Sequence, residues 1–322
     1  TDRLVQDGAV GRSQGLTSSG SRGVLREVPR AAVRIWGFPA IALPAARKEN
    51  NRVKTNVLQR DVFCKSALNR TGIPGYDYCV NPYGGCTHAC VYCYASFICR
   101  FSPHERPWGE FLDIKVNFPA VLARQLKSRR KSPAGRVLLG TVTDVYQPAE
   151  EKARLTRSSL EILSGYPSLE VHVLTKSSLV RRDIPILREM RDCQVGFTVT
   201  TVDPEVARVF EPGASPPLAR LEAAAELKEA GIPVWVFIAP LLPGITDTEE
   251  SLNSLRLAIR GAGVRDIQLD CLNPYPTVAG RLLETYRDRF PGAIGQLEAY
   301  LRSPASYKAG LAKRIRRRIC PS

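Results

Sequence analysis

The sequence predicts an α/β fold: a partial (β/α)6 TIM barrel with an N-terminal arm and a C-terminal helical extension. From Asp77 onward, six short apolar runs alternate with helical patterns, as parallel βα units require. At 322 residues and 44% hydrophobic content, the chain can bury one large core. No stretch approaches the roughly twenty apolar residues of a membrane span, so no membrane partner is expected.

Residues 1–60 read as a basic, partly extended arm. Thr17–Gly23 is linker-like, and arginines lie between short apolar pieces such as Ile35–Leu43. Residues 61–280 form the barrel, with strands expected at 78–82, 137–142, 170–175, 194–200, 233–239 and 266–272. Helices are expected near 117–129, 150–164, 180–190, 216–230 and 247–261. In the fourth of these, Leu218, Leu221, Ala224, Ala225 and Leu227 recur at helical spacing, and Gly231 followed by Pro233 ends the run. Asp247, Glu249 and Glu250 suit the N-terminal dipole of the fifth. Residues 281–322 make the helical, basic extension.

Charge is unevenly spread. The chain carries 46 Lys and Arg against 31 Asp and Glu, a formal net charge of +15. From Ala299 to Ser322 there is no acidic residue, and Lys313–Arg318 is the densest run. A second cluster is Arg124, Lys127, Arg129, Arg130, Lys131 and Arg136. Such a balance points to a polyanionic partner, nucleic acid above all, with a solvated basic face as the alternative.

The chemistry is carried by Cys86, Cys90 and Cys93, in the run Asn81–Tyr94. Three thiolates in one short loop can hold three corners of an iron–sulfur cube and leave the fourth iron open. A zinc site completed by His88 or Cys99 is the alternative, but no second Cys-x2-4-Cys knuckle follows. A disulfide framework does not suit so large a chain without a secretory signal.

The pattern Cys86-x3-Cys90-x-Tyr92-Cys93 resembles the signature of the radical S-adenosylmethionine (SAM) superfamily. That resemblance implies a partial barrel of the radical SAM type, a [4Fe-4S] cluster on the three cysteines, and SAM on the open iron. It also implies reductive cleavage of SAM to a 5′-deoxyadenosyl radical that abstracts a substrate hydrogen. Tyr92 would lie beside the adenine. The exit of the second strand would face the methionine amino group through Thr141, Thr143 and Asp144. Arg220 matches an arginine set against the SAM carboxylate, and Ala239–Asp247 resembles the adenine-contacting rim.

Position adds further candidates. Lys176, at the end of the third strand, can pair with the SAM carboxylate or a substrate phosphate. Thr198 and Thr200 share one face of the fourth strand by alternation. Cys271, Asn273 and Tyr275 follow the sixth strand and could meet substrate, although an isolated cysteine is more often a small core residue.

Within the superfamily, the segment 78–275 resembles the spore photoproduct lyase-like family. The resemblance rests on Tyr92 and Tyr94 around the last cysteine, on Thr143-Asp144, and on Thr175-Lys176-Ser177. The lyase's hydrogen-returning cysteine is replaced by Thr141, so Tyr94, Cys271 or Cys320 would serve in that role, or the reaction differs. The expectation is a radical SAM enzyme acting in nucleic-acid repair or modification, reduced by a flavodoxin or ferredoxin. The alternatives are a peptide or small-metabolite substrate, or a non-enzymatic metal-containing nucleic-acid binder. An oxygen-sensitive cluster points to the cytoplasm.

Overall fold

The architecture follows from alternating strands and amphipathic helices, seen in a computed structural model that describes residues 57–318 apart from 102, 129–132 and 274, with side chains through Leu311. In chain order the strands before the first helix are β1 (Leu58–Val62), β2 (Leu68–Arg70), β3 (Tyr78–Val80), β4 (Tyr83–Gly84) and β5 (Phe111–Lys115). Then come α1 (Phe118–Lys127), β6 (Gly135–Leu139), α2 (Glu150–Ala153), α3 (Leu155–Ser164), β7 (Leu169–Thr175), α4 (Ile184–Glu189) and β8 (Cys193–Thr198). The series continues with α5 (Pro204–Phe210), α6 (Pro217–Glu229), β9 (Val234–Leu241), α7 (Glu249–Gly261) and β10 (Asp266–Cys271). It ends with α8 (Pro276–Arg289), α9 (Ile294–Arg302) and α10 (Pro304–Arg318).

The main sheet has the order β10-β9-β8-β7-β6-β3-β2. Six strands from β3 to β10 run parallel, and β2 adds an antiparallel edge beside β3. This is the expected partial (β/α)6 barrel, left open between β10 and the β3 side. All six expected strands are present, with ends shifted by a few residues.

Helices differ in instructive ways. The run 150–164 is split because Arg154 takes a left-handed conformation at φ 52° between α2 and α3. The run 180–190 starts as a 3-10 turn over Ser178–Asp183. Pro185 fits an α-helix only in its first turn, so α4 begins at Ile184. A helix not expected, α5, is nucleated by Asp203, whose carboxylate accepts the Glu205 and Val206 N–H groups at 2.8 and 3.2 Å. Also unexpected is a small sheet, β1-β5-β4. β1 begins inside the stretch assigned to the arm, whose residues 1–56 lie outside the described residues, as do Arg129–Lys131 and the side chains of the basic tail.

Apolar faces set two cores. The larger packs α1, α3, α6 and α7 against the outer face of the sheet through residues such as Leu122, Leu160, Leu227 and Leu255. Each such side chain contributes about 1.5–3 kcal/mol by leaving water. The second core joins Cys90 and Tyr92 of the cysteine loop to Phe210, Leu282, Tyr286, Leu297 and Tyr300. The C-terminal helices α8 and α9 are therefore built onto the cysteine loop. α8 starts at Pro276, ahead of the expected boundary at 281. No helix among the described residues is long and apolar enough to cross a membrane.

Candidate active site at the mouth of the barrel

The cysteine loop leaves β4 through Gly85 at φ 78°, where a Cβ would stand 2.5 Å from the Phe111 carbonyl oxygen. Glycine is needed there for both conformation and space. The end of α5 and the turn that follows it grip the loop from the other side. Val91 N–H donates to the Phe210 carbonyl at 2.9 Å, and Gly213 N–H to that of His88 at 3.0 Å. A Cβ on Gly213 would lie 2.1 Å from the Thr87 carbonyl oxygen, so only glycine allows this approach.

Cys86 and Cys90 are buried and Cys93 half-buried. Burial pushes all three thiols up, Cys86 to about 12. The thiols lie within electrostatic reach of one another, and Lys176 and Arg281 are cationic neighbours of Cys90 and Cys93. Among the described residues no three His, Cys, Asp or Glu side chains converge as ligands of one ion. A single zinc draws every thiolate to about 2.3 Å of one point, whereas a cube takes each thiolate on a separate iron. The buried, cation-flanked donor set fits an anionic iron–sulfur cluster.

Asp144 is buried and fully engaged. Its Oδ1 accepts the Thr175 hydroxyl at 2.7 Å and the Tyr146 N–H at 2.9 Å, and its Oδ2 accepts the Lys176 N–H at 2.7 Å. His88 Nδ1 stands 3.3 Å from Oδ2, outside hydrogen-bonding geometry. Burial works to raise this carboxyl, but His88 and the donors outweigh it and hold it well below the usual carboxylate range. Asp144 thus braces the exits of β6 and β7.

The neighbouring threonines are also tied. Thr141 receives the Asn81 side-chain N–H at 2.8 Å and gives its own N–H to Asn81 Oδ1 at 3.0 Å. Thr143 donates to the Gly85 carbonyl at 2.5 Å and accepts from Gln147 at 3.0 Å. Tyr94 is 42% exposed, and its hydroxyl donates to the Thr141 carbonyl.

Arg220 has partners within the protein on each of its three nitrogens. It is 1% exposed, with Nε on the Ser215 carbonyl at 2.7 Å, Nη1 on that of Thr198 at 2.9 Å, and Nη2 2.5 Å from Glu211 Oε2. Glu211 in turn accepts the Tyr92 phenol and, at 3.0 Å, the Thr200 hydroxyl. Arg220 is thus paired within the protein. Lys176, whose Nζ lies 5.5 Å from the Tyr92 ring centroid, joins Arg281 as a cation beside the cysteines. Burial would lower its pKa, but the neighbouring Cys90 and Glu211 outweigh that and keep it raised.

Cys271 is not brought to the cysteine loop. Its electrostatic neighbours are Lys308, Asp270 and Asp247, and it packs on the main core as the bland alternative anticipated. Cys320 lies outside the described residues. A thiol that sequence reasoning missed is Cys79. It alternates between buried Tyr78 and Val80 on β3, within hydrogen-bonding reach of Thr141 and near Tyr94. Glu211, Asn81 and Arg281 were also missed as site residues, and His88, weighed only as a zinc ligand, instead faces Asp144; each acts through a partner distant in sequence.

Comparison with known proteins bears on this arrangement. A sequence profile described as the Radical SAM superfamily matches residues 80–255, more than half of the chain. An uncharacterised protein of Mycobacterium tuberculosis is 33% identical over 322 residues, covering 89% of each chain. An uncharacterised protein of Methanocaldococcus jannaschii is 33% identical over 188 residues, 58% of this chain and 69% of that one. Among solved structures, spore photoproduct lyase complexed with dinucleoside spore photoproduct superposes with a TM-score of 0.56 at 16% identity. That match covers 73% of this chain and 67% of the lyase, and establishes likeness of fold.

Proposed function

This chain belongs to the radical SAM superfamily, and from that premise we propose that it is an enzyme abstracting a hydrogen atom from a nucleic-acid substrate, in repair or base modification. The family uses a [4Fe-4S] cluster and SAM. When bound, they supply a 5′-deoxyadenosyl radical that takes a hydrogen atom from the substrate. The observation carrying the chemistry is the loop of Cys86, Cys90 and Cys93 at the C-terminal rim of the barrel, where such folds place their sites.

The chain's own residues then divide the work. Cys86, Cys90 and Cys93 hold the cluster. Lys176 supplies the cation for a SAM carboxylate, and the buried Glu211–Arg220 pair sets the Tyr92 ring in place beside it. Thr141, Thr143 and Asp144 shape the β6 exit, where the SAM amino group would be held. Cys79, within hydrogen-bonding reach of Thr141, and the Tyr94 phenol near it would be the hydrogen-atom donors on this wall of the site.

Nucleic acid is favoured over a small metabolite by surface chemistry. Tyr94, Phe97, Phe101 and Tyr275 expose 42, 40, 80 and 48% of their surface on segments that flank the cysteine loop and follow β10. Exposed rings of this kind stack bases, and the net charge of +15 suits a phosphate backbone.

The test is anaerobic reconstitution with iron and sulfide, dithionite reduction and quantification of 5′-deoxyadenosine from added SAM, alongside oligonucleotide binding across a salt series. Release of 5′-deoxyadenosine, abolished in Cys90→Ala, with affinity falling steeply in salt, is the expected result. SAM cleavage without oligonucleotide affinity would transfer the reading to a peptide or small-molecule substrate. Zinc in place of iron, with SAM intact, would overturn it.

A further inference from the structure

Arg281, on the second turn of α8, reaches a loop 188 residues earlier in the chain. Its Nη2 donates to the Cys93 carbonyl oxygen at 3.2 Å and to the Ser96 hydroxyl at 2.9 Å. Its Nε–H is buried and has no hydrogen-bond partner. Other guanidiniums in the interior face carboxylates, as Arg182 faces Glu150 and Asp183 and Arg220 faces Glu211. Arg281 faces none among the described residues, and its electrostatic neighbours are the thiols of Cys93, Cys99 and Cys90.

A half-buried guanidinium without a counter-ion, with its Nε–H buried and unpartnered, is costly. The missing anion must sit where the charge points, at the Cys90–Cys93 side of the loop. Lys176 flanks the same thiols, but in the reading above its charge is taken by the SAM carboxylate. Arg281 has no such competing partner.

We propose that Arg281 is the protein's built-in counter-charge for the iron–sulfur cluster and raises its reduction potential. The assignment rests on the radical SAM reading and is independent of substrate. Reduction adds one negative charge to the cluster, so a fixed cation nearby stabilises the reduced state more than the oxidised one. Arg281 is a positioning residue: it pins α8 to the cysteine loop and holds the charge in register with Cys93.

The experiment is a redox titration of the full-length reconstituted protein, followed by electron paramagnetic resonance, for wild type, Arg281→Gln and Arg281→Lys. At equal iron content, Arg281→Gln is expected to show an about tenfold lower ratio of reduced to oxidised cluster at a fixed potential. That corresponds to a shift of about 59 mV downward for one electron, with Arg281→Lys close to wild type. If Arg281→Gln fails to load iron while Arg281→Lys loads normally at the wild-type potential, the assignment of charge stands. Equal potentials in all three proteins overturn it. So does failure of both variants to load, which would mean that the Cys93–Ser96 fork matters as a scaffold. A wild-type protein that takes up no iron and sulfide would strike the underlying radical SAM reading, and this assignment with it.

Discussion

Arg220 and Glu211 meet inside the barrel with Nη2 2.5 Å from Oε2, and both side chains are almost completely buried. The pair couples the exit of β8 to the cysteine loop, because Glu211 also receives the phenol of Tyr92. Arg220→Ala would leave Glu211 charged and unpaired in the interior. Loss of one partner of a buried pair costs about 3–5 kcal/mol. Urea unfolding should show that loss directly, and a fully stable variant with weakened SAM binding would instead restore Arg220 to the SAM carboxylate.

The cysteine ligands should separate metal binding from folding. Cys86→Ala, Cys90→Ala and Cys93→Ala each remove one sulfur from a loop already fixed by Gly85, Gly213 and the Phe210 carbonyl. Iron content and SAM cleavage are expected to vanish while circular dichroism stays at the wild-type level. Full cleavage in any one variant would contradict the ligand set.

Gly213→Ala tests the grip on the loop. The added methyl group would sit 2.1 Å from the Thr87 carbonyl oxygen, and backbone must shift to admit it. Overpacking of this kind costs about 1–3 kcal/mol. Cluster retention after gel filtration should fall along with the melting temperature, whereas Gly72→Ala, which meets nothing within 4 Å, should leave both unchanged.

Acid should destabilise the fold through two buried carboxylates. Asp144 and Glu211 are both held below their ordinary range, despite burial, by His88 and by Arg220 and Lys176 respectively. Below the unfolded-state values near pH 4, the unfolded chain therefore binds more protons than the folded one, and stability falls with pH. The melting temperature should drop as pH goes below about 4, with a shallower slope in Asp144→Asn. Equal slopes in the two proteins would remove Asp144 from that account.

The exposed rings should matter for oligonucleotide affinity alone. Phe97 and Phe101 meet edge to face at 6.5 Å on the outside of the cysteine segment. Phe101→Ala is expected to weaken single-stranded DNA or RNA binding by about 1–3 kcal/mol, the worth of one stacked base. Release of 5′-deoxyadenosine without nucleic acid should be unaffected, and unchanged affinity would argue against stacking there.

The six barrel strands were legible because each is a short apolar run bounded by turns, and the cysteine motif was legible because its spacing is local. What was hidden depends on distance in sequence. Glu211 sits in a Pro- and Gly-rich stretch that reads as surface loop, and only its approach to Arg220, Tyr92 and Thr200 reveals a buried acid. Asp144 was recognised as a polar residue of the site, but its donors come from β7 and the cysteine loop, which no local pattern announces. Cys79 was masked by the apolar run around it, and Arg281 by one helix among several basic ones. Residue type was readable throughout; partnership required the fold.

The second core joins Cys90 and Tyr92 to Leu282, Tyr286, Leu297 and Tyr300. During synthesis, the ligand loop emerges from the ribosome some two hundred residues before the helices that cover it. A nascent chain that has produced all three thiols still lacks the wall behind them. A chain cut before Pro276 would carry the three cysteines without the apolar wall that Leu282, Tyr286, Leu297 and Tyr300 place behind Cys90 and Tyr92.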